Sequence, residues 1–407
     1  MKRLVVKFGG TSVGNLQRIR KDAEAVAREV KKGNQVAVVV SAIGHTTDAL
    51  IKAFKTFVKE PQPSEMDFVM ALGERSSARI FARTLQELGI KAKALDPRSR
   101  EWPVITDSKH GMANIDFAET KKRAQQYLIP MLEKGIVPVI CGFLGRDRRG
   151  MITTLGRGGS DITGFLIGEC INADEVVIVT DVDGVMTADP NVVREARVLK
   201  RITVEEMRDL ARFGAQVMHP RAMAYKHPKI AGKVVNFRHW DLTAPGTVIV
   251  GPTQEEKEGV WLFPEPLAML TVVGEEMQTT PGVLVRAAMP ISKAKINIFG
   301  VSIGPRSFSL YVREREAEKA ARLVHATIVR NHLMKSVTVQ KGLAMITAES
   351  EKFIYTPGVI AKLSIPVGKA GINIIEILSS RASISFFVDW EVRHQALKLF
   401  KEAMRKI

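Results

Sequence analysis

The sequence predicts two kinds of fold in one chain: an α/β region with a largely parallel sheet sandwiched by helices, followed by two small α+β modules. Three observations carry this prediction. The chain has 407 residues, more than a single core usually supports, so several domains are expected. Continuous Val- and Ile-rich runs alternate with helical patterns in residues 1–250. Beyond them, one block of sequence occurs twice.

The first region alternates strands with helices along the chain. Uninterrupted apolar runs between helices are typical of parallel strands that are covered on both faces. The predicted strands are Leu4–Phe8, Val36–Ser41, Val137–Phe143 and Val176–Thr180, and the predicted helices are Leu16–Lys32, Ser64–Gly89 and Asp161–Asn172.

The second region repeats itself at a constant offset of 76 positions. Leu267-Ala268-Met269 recurs as Leu343-Ala344-Met345, and Ile296-Asn297-Ile298 recurs as Ile372-Asn373-Ile374. Each copy reads as strand, Pro-Gly turn, helix, strand, strand, helix, a βαββα module with helices on one face of an antiparallel sheet. We therefore predict three domains: residues 1–252, residues 253–342 (a charged linker and the first module) and residues 343–407.

Composition excludes several function classes. No apolar run approaches the roughly 20 residues of a membrane span. Cys141 and Cys170 are the only cysteines, which predicts a cytoplasmic protein without disulfides or a structural zinc site. The net charge of +17 is spread along the chain, and aromatic residues are only 6%, so few stacking platforms exist for bases. We expect neither nucleic acid nor membrane as a partner.

Five stretches of the first region carry polar chemistry where strands end or helices begin, the places where open α/β sheets bind ligands. Taken singly, each has a structural explanation, because paired glycines make tight turns and Asp181 or Asp183 can cap loops. The stretches are KFGGTS (7–12), SAIGHTTD (41–48), LGER (72–75), TLGRGGSD (154–161) and TDVDGV (180–185).

Together with GAQVMHPRA (214–222), these motifs resemble the aspartate kinases of the amino-acid kinase superfamily, and the repeated modules resemble their paired ACT domains. The resemblance covers essentially the whole chain. It implies transfer of the γ-phosphoryl group of ATP to the side-chain carboxylate of L-aspartate, giving 4-phospho-L-aspartate, the first step of lysine, threonine and methionine biosynthesis. ATP and Mg²⁺ are the implied cofactors, with Mg²⁺ held mainly by phosphate oxygens and water rather than by a protein metal site.

The resemblance also implies roles for single residues. Lys7 would neutralise charge on the transferring phosphoryl group, and Asp161 would orient Lys7. A general base is not required, since the side-chain carboxylate of free aspartate ionises near pKa ~3.9. The implied ATP- and phosphate-binding residues are Lys7, Gly9 and Gly10 through their amides, Ser41, Thr180, Asp181, Asp183 and Gly184.

Four further residues are implied to bind aspartate. Arg157 suits a bidentate grip on a substrate carboxylate, and Glu74 would meet the substrate ammonium group. Thr47 and Ser160 would line the same pocket. The structural alternative for Glu74 and Arg157 is an ion pair with no role in binding, because buried charges are usually paired.

In the family, ACT pairs associate between subunits and bind an amino-acid effector, so a homodimer or higher oligomer is implied. Asn297 and Asn373 occupy the Ile-Asn-Ile positions where such modules grip an effector. An asparagine ahead of a strand can also simply cap the turn. The sequence leaves open whether lysine, threonine, both or neither inhibits.

Three positions on the nucleotide side depart from the family pattern. Met186 stands where tyrosine is usual, Asn191 where arginine is usual and Gln216 where lysine is usual. We predict an active kinase with modest or altered nucleotide affinity. The alternative is a catalytically weak or inactive sensor of amino acids or nucleotides on the same fold.

Overall fold

The chain divides into two compact units, Met1–Glu256 and Lys257–Ile407. The computed structural model describes residues 1–212, 218, 220–251, 258–275, 280–330 and 333–407. The predicted boundary at 252/253 falls outside these ranges, and the predicted domain limits stay predictions.

The N-terminal unit is a mixed α/β layer structure, as predicted. Its helices are α1 (Leu16–Lys31), α2 (Thr46–Phe57), α3 (Pro63–Glu87), α4 (Phe117–Glu133), α5 (Gly159–Cys170) and α6 (Val204–Arg212). Its strands are β1 (Arg3–Phe8), β2 (Gln35–Val40), β3 (Ala92–Leu95), β4 (Ile105–Thr106), β5 (Val137–Cys141), β6 (Leu144–Asp147), β7 (Ile152–Thr154), β8 (Glu175–Thr180), β9 (Arg201–Thr203), β10 (Ala231–Asn236) and β11 (Thr247–Val250).

Eight of the described strands form the main sheet, in the order β3-β5-β2-β1-β8-β10-β11-β9. All neighbouring pairs are parallel except β10 and β11. Strands β4, β6 and β7 form a separate small sheet. The central strands are buried along nearly their whole length, which confirms the prediction from their continuous apolar runs.

The strand register brings the carboxyl ends of the central strands to one edge. Phe8 of β1 is level with Val40 of β2 and with Val179 of β8, and Val40 is level with Cys141 of β5. The polar loops that follow these strands therefore start side by side, which is what positions the site described below.

The C-terminal unit contains the predicted repeat. Each helix and strand from Val283 to Ile328 has a counterpart 76 positions later. Its helices are α7 (Val283–Lys293), α8 (Ala317–Ile328), α9 (Val359–Lys369) and α10 (Arg393–Met404). Its strands are β12 (Gly259–Leu262), β13 (Leu267–Gly274), β14 (Gly300–Ile303), β15 (Ser307–Arg313), β16 (Met334–Glu349), β17 (Glu376–Ser379) and β18 (Ser383–Asp389).

One antiparallel sheet joins both modules, in the order β14-β15-β13-β16-β18-β17. Its centre is the pair β13 and β16, so equivalent strands of the two modules lie side by side. Tyr311 and its counterpart Phe387 stack with ring centroids 4.0 Å apart, within a small core that also contains Leu267 and Leu343. The predicted boundary at 342/343 lies inside β16.

Strand β12 precedes the first module but belongs to the second. It pairs antiparallel with the last part of β16, and Val260 lies opposite Ala348. Val260 is buried in the core of the second module, with Leu363 and Phe386. The second module therefore takes one strand from a part of the chain outside the sequence repeat.

Two exclusions made from composition can be compared with the structure. No helix within the described ranges has both the length and the apolarity needed to cross a bilayer. Cys141 and Cys170 are both buried free thiols.

Candidate active site

The buried ammonium group of Lys7 marks the centre of the site. Lys7 lies in the last half of β1, and its Nζ is 2.6 Å from Oδ1 of Asp161. Asp161 is in the first turn of α5, where a helix N-terminus favours negative charge. With side chains only 10% and 13% exposed, the two groups form a nearly dry ion pair at the edge of the sheet.

The two glycines after β1, Gly9 and Gly10, have different surroundings. The N–H of Gly9 donates to the carbonyl oxygen of Val179, 3.1 Å away, and extends the pairing of β1 with β8. That amide is therefore engaged with β8, and contact of Gly9 with phosphate stays a prediction. Gly10 lines the cavity, and a Cβ there would lie 3.3 Å from the carbonyl oxygens of Ala42 and Gly44, so a side chain would crowd both carbonyl groups.

Glu74 brings a carboxylate into an apolar setting. It lies in α3, is 5% exposed, and its Oε2 has no hydrogen-bond partner in the described part of the chain. Burial raises the pKa of Glu74 from 4.5 to about 7, against an opposing contribution from backbone hydrogen bonds. The Oγ1 of Thr47, at the start of α2, is likewise buried without a partner there. Both atoms can accept a hydrogen bond from a bound ligand.

Arg157 stands on the glycine-rich loop between β7 and α5. Its side chain is exposed, and no ion pair is found between Arg157 and Glu74 among the described residues, so the structural alternative for this pair is not favoured. Gly156 and Gly158 have φ of +77° and +72°, a left-handed conformation that other residues adopt only with strain. These two glycines set the path that presents Arg157.

A cavity of about 320 Å³ joins these groups. It is lined by all four predicted aspartate-binding residues, by three of the eight predicted ATP- and phosphate-binding residues and by both predicted catalytic residues. The predicted residues that line it are Lys7, Gly10, Ser41, Thr47, Glu74, Arg157, Ser160 and Asp161. Their charges are two cations and two carboxylates, an arrangement that suits a small zwitterion next to a phosphate group.

The predicted nucleotide residues lie at the end of β8 and do not line this cavity. Asp181 is exposed, and its Oδ1 is 3.3 Å from the hydroxyl of Thr180. Asp183 accepts a hydrogen bond of 2.8 Å from the side-chain amide of Asn236. Gly184 is buried, and a Cβ there would come within 2.5 Å of Oγ1 of Thr247. Packing accounts for this glycine, and its contact with nucleotide stays a prediction.

The three departures from the family pattern have different settings. Met186 is half-buried and forms an isolated β-bridge with Val198. Asn191 is exposed, and its N–H donates to the carboxylate of Asp189. Gln216 lies outside the described residues.

Sequence reasoning missed Asp67, a buried residue that holds the strand leading to the Arg157 loop. Asp67 is fully buried in α3 and accepts hydrogen bonds from Oγ1 and N of Thr154, at 2.6 and 3.2 Å. It also accepts from the N–H of Gly111, and Nδ1 of His110 lies 2.8 Å away. Asp67 thus fastens the end of β7, from which the Arg157 loop departs. Its position seven residues before Glu74, two turns along one helix face, was the available signal.

Comparisons with known proteins agree across both units. The Amino acid kinase family matches residues 2–236, and an ACT domain family matches residues 270–328. An aspartokinase of Geobacillus stearothermophilus is 32% identical over 98% of this chain and 96% of its own length. An aspartate kinase of Pseudomonas putida is 32% identical over 99% of this chain and 97% of its own. An aspartate kinase structure from Synechocystis has a TM-score of 0.81 at 28% identity, covering 99% of this chain and 69% of that one.

Proposed function

This chain belongs to the aspartokinases of the amino acid kinase family, and on that premise we propose that it transfers the γ-phosphoryl group of ATP to the side-chain carboxylate of L-aspartate. One observation carries the proposal: a single cavity brings the Lys7–Asp161 ion pair together with Glu74 and Arg157. This is the set of charges needed to hold a zwitterionic amino acid beside a phosphoryl group.

The electrostatic problem is to bring a carboxylate against a polyphosphate. Lys7 supplies a fixed positive charge at the end of β1, and Asp161 holds its Nζ in place by the 2.6 Å contact. A cation that is already positioned and nearly dry stabilises developing charge without reorganisation. The amide of Gly10 and the N-terminal end of α5 add favourable dipoles.

The aspartate substrate would be held through its α-substituents, which leaves the side-chain carboxylate free to react. Arg157 would bind the α-carboxylate, and the exposed position of Arg157 lets it meet the substrate at the mouth of the cavity. The ammonium group of aspartate would pair with Glu74 and supply the missing partner of its Oε2. Thr47 and Ser160 would add hydrogen bonds at the cavity wall.

ATP and Mg²⁺ are the proposed cofactors. No group of three or more His, Cys, Asp or Glu within the described residues is placed to hold a metal ion. Mg²⁺ in phosphoryl-transfer sites uses one or two carboxylates together with phosphates and water, and the exposed carboxylate of Asp181 at the end of β8 provides such a ligand. The residues therefore fit an ion that arrives with the nucleotide, where it would neutralise phosphate charge.

The experiment that tests the activity is a hydroxamate assay for aspartyl phosphate with ATP, GTP and other donors. Lys7→Ala is expected to lower kcat by on the order of 100-fold or more, as for loss of one positioned charge donor. Lys31→Ala, which removes an exposed lysine at the end of α1, is the matched control and should leave the rate unchanged. If the wild-type protein binds aspartate or nucleotide but forms no acyl phosphate with any donor, the sensor alternative replaces the kinase.

We propose that the C-terminal unit binds an amino-acid effector. Asn297 and Asn373 lie at equivalent positions between α7 and β14 and between α9 and β17, and both are exposed. No hydrogen bond from either side-chain amide is found within the described ranges, which favours ligand contact over capping. We expect lysine or threonine to inhibit the wild-type enzyme. Asn297→Ala or Asn373→Ala should weaken this inhibition and leave the rate without effector unchanged. Insensitivity of the wild-type enzyme to both amino acids would contradict it.

We also propose that two or more copies associate through the C-terminal unit in the cytoplasm. The outer faces of its helices carry exposed apolar side chains, including Val285 and Met289 on α7 and Ile360 and Ile365 on α9. Apolar surface of this kind is typical of protein contacts. Light scattering coupled to size-exclusion chromatography should give at least twice the chain mass of 44.9 kDa, and a monomer at micromolar concentration would contradict this.

A further inference from the structure

A second cavity in the N-terminal unit is lined by arginines and is separate from the site above. It has a volume of about 630 Å³ and lies at the turn of the hairpin formed by β6 and β7. None of its lining residues lines the Lys7 cavity. The charged residues that line it are Arg123, Arg146, Arg148, Arg149, Glu119 and Asp147.

The two inner arginines of the cavity, Arg146 and Arg123, are held by backbone carbonyl groups. Arg146 donates from Nη1 to the carbonyl oxygens of Pro97 and Ser99, at 2.9 and 3.0 Å. Arg123 donates from Nε to the carbonyl oxygen of Trp102 at 2.8 Å. Neither forms an ion pair with a described residue. Neutral carbonyl groups orient both guanidinium groups, and the ring of Tyr127 lies against that of Arg123, with 5.2 Å from Cζ to the ring centroid.

The charged form of Arg146 is destabilised in this arrangement. Burial lowers the pKa of Arg146, and the like charge of Arg123 lowers it further. Both guanidinium groups line one cavity and repel one another, and an anion bound between them would relieve this repulsion. The backbone contacts nevertheless keep them together, so the fold maintains a preformed pair of donors.

The acidic residues of the cavity are largely committed elsewhere. The carboxylate of Asp147 is buried and accepts hydrogen bonds from the hydroxyl of Ser108 at 2.7 Å and from the N–H groups of Arg149 and Met151. It shapes the turn of the hairpin. Arg148 reaches out to Asp116 at 2.9 Å, while the exposed Arg149 lies on the same turn. With Arg148 paired to Asp116, the carboxylates of Glu119 and Asp147 face the three other arginines of the lining, which leaves an excess of positive charge.

We propose that this cavity binds a small anion that carries phosphate groups, at the same time as the catalytic cavity is in use. A planar guanidinium group can donate two parallel hydrogen bonds to two oxygens of one phosphate, and the two inner arginines can each bind phosphate in this way. The volume exceeds that needed for one phosphate and falls in the range of small-ligand sites. The lining has no aromatic side chain on which a base could stack, so a short polyphosphate or a phosphorylated metabolite fits better than a nucleotide.

Calorimetric titration of the 407-residue chain at constant ionic strength, in 150 mM KCl, tests the proposal. The probes are inorganic phosphate, tripolyphosphate and ADP. Arg149→Glu reverses an exposed charge at the cavity and is expected to weaken tripolyphosphate binding at least tenfold. Arg83→Glu makes the same change on the exposed face of α3 and should bind as the wild type does. Lys7→Ala should also retain this binding, because the catalytic cavity is separate.

A second variant, Arg146→Lys, keeps the charge but removes the paired donors. It should weaken binding while a melting curve reports whether the fold is intact. ADP binding that is sensitive to Arg149→Glu would identify a nucleotide as the source of the phosphate, and binding of tripolyphosphate alone would identify a ligand without a base. Loss of all anion binding in Lys7→Ala, unchanged binding in Arg149→Glu, or no binding in 150 mM KCl would each overturn the proposal.

Discussion

Glu74 and Asp161 are two carboxylates in one cavity, and their environments differ in charge pairing. Asp161 is neutralised by Lys7 at 2.6 Å, whereas Oε2 of Glu74 is buried without a partner in the described structure. An unpaired buried carboxylate is costly when charged. In the empty enzyme this favours the protonated form of Glu74, and the proposed contact with the substrate ammonium favours the ionised form.

The affinity for aspartate should therefore depend on pH through Glu74. Its pKa of about 7 in the empty site means that below pH 7 a proton must leave before the ammonium group can pair. We expect KM for aspartate to rise roughly tenfold for each unit that the pH falls below 7, the limit for loss of one proton on binding. Glu74→Gln should show a higher and flat KM between pH 6 and 8. A profile with the wild-type slope in Glu74→Gln would assign the dependence to another group.

Single residues also show what sequence could and could not foretell. Lys7, Arg157 and Asp161 were found because they stand in two motifs at a strand end and a helix start, KFGGTS and TLGRGGSD, that resemble those of aspartate kinases. The occupied amide of Gly9 could not be found in this way, because its acceptor, the carbonyl group of Val179, becomes its neighbour only through the pairing of β1 with β8. The unpartnered state of Glu74 likewise depends on packing around α3 that no motif encodes.

At the scale of elements, helix α3 links the two ends of the substrate pocket. Glu74 faces the cavity from the middle of the helix, and Asp67 lies two turns earlier on the same face, bound to Thr154 at the end of β7. The loop that carries Arg157 begins directly after β7. One helix therefore fixes Glu74, which is proposed to bind the substrate ammonium group. It also fixes the strand that leads to Arg157, which is proposed to bind the substrate α-carboxylate.

Replacing Asp67 should loosen this connection. Asp67→Ala would leave the Thr154 hydroxyl and the Gly111 amide without their acceptor, at a cost on the order of 3 kcal/mol in the free energy of unfolding. We expect KM for aspartate to rise more than KM for ATP, since the Arg157 loop would lose its anchor. Thr154→Ser, which can keep the hydroxyl contact, is the control. Equal changes in both KM values would indicate a general loss of structure instead.

Helix α1 carries a buried acid of its own. Asp22 is 2% exposed, and burial raises its pKa from 3.8 to about 8, with Arg18 opposing the shift. The folded state then keeps a proton that the unfolded state releases near pH 4. The stability contributed by this proton is fully present below about pH 4 and is lost as the pH rises through about 8.

Denaturant unfolding at pH 7 and pH 9, compared between the wild type and Asp22→Asn, separates this effect from that of Glu74, whose pKa is about 7. The wild type should lose on the order of 1 kcal/mol between the two pH values. Asp22→Asn should lose less and be the more stable protein at pH 9. Glu24→Gln on the same helix is the control. A parallel decline in Asp22→Asn would place the pH dependence elsewhere.

At the scale of the whole molecule, the C-terminal unit is a duplication with one asymmetric addition. The constant offset in the sequence was enough to predict both modules, because every helix and strand from Val283 to Ile328 keeps its spacing. The pairing of β12 with β16 was not predictable from that offset. Residues 259–262 lie before the repeated block and resemble neither copy, so only their contacts assign them to the second module.

A pair of fragments tests how much β12 contributes. Residues 258–407 should fold by themselves, since both modules have their own buried cores. A fragment of residues 264–407 lacks β12, exposes the pocket of Val260, and should be less stable by roughly 3 kcal/mol from the lost apolar burial. Thermal melts followed by circular dichroism give the comparison, with residues 255–407 as the length control. Equal melting temperatures for 258–407 and 264–407 would show that β12 is dispensable.

The placement of β12 also sets an order of events during synthesis on the ribosome. Residues 259–262 leave the ribosome before the first module does, but their partners at residues 346–349 follow only after that module is complete. The first module can fold meanwhile, because its described core residues lie between residues 268 and 337. Domains generally fold as units as they emerge. The C-terminal unit consequently closes only after residues 346–349 have emerged, around a strand that was among the first of its parts to be made.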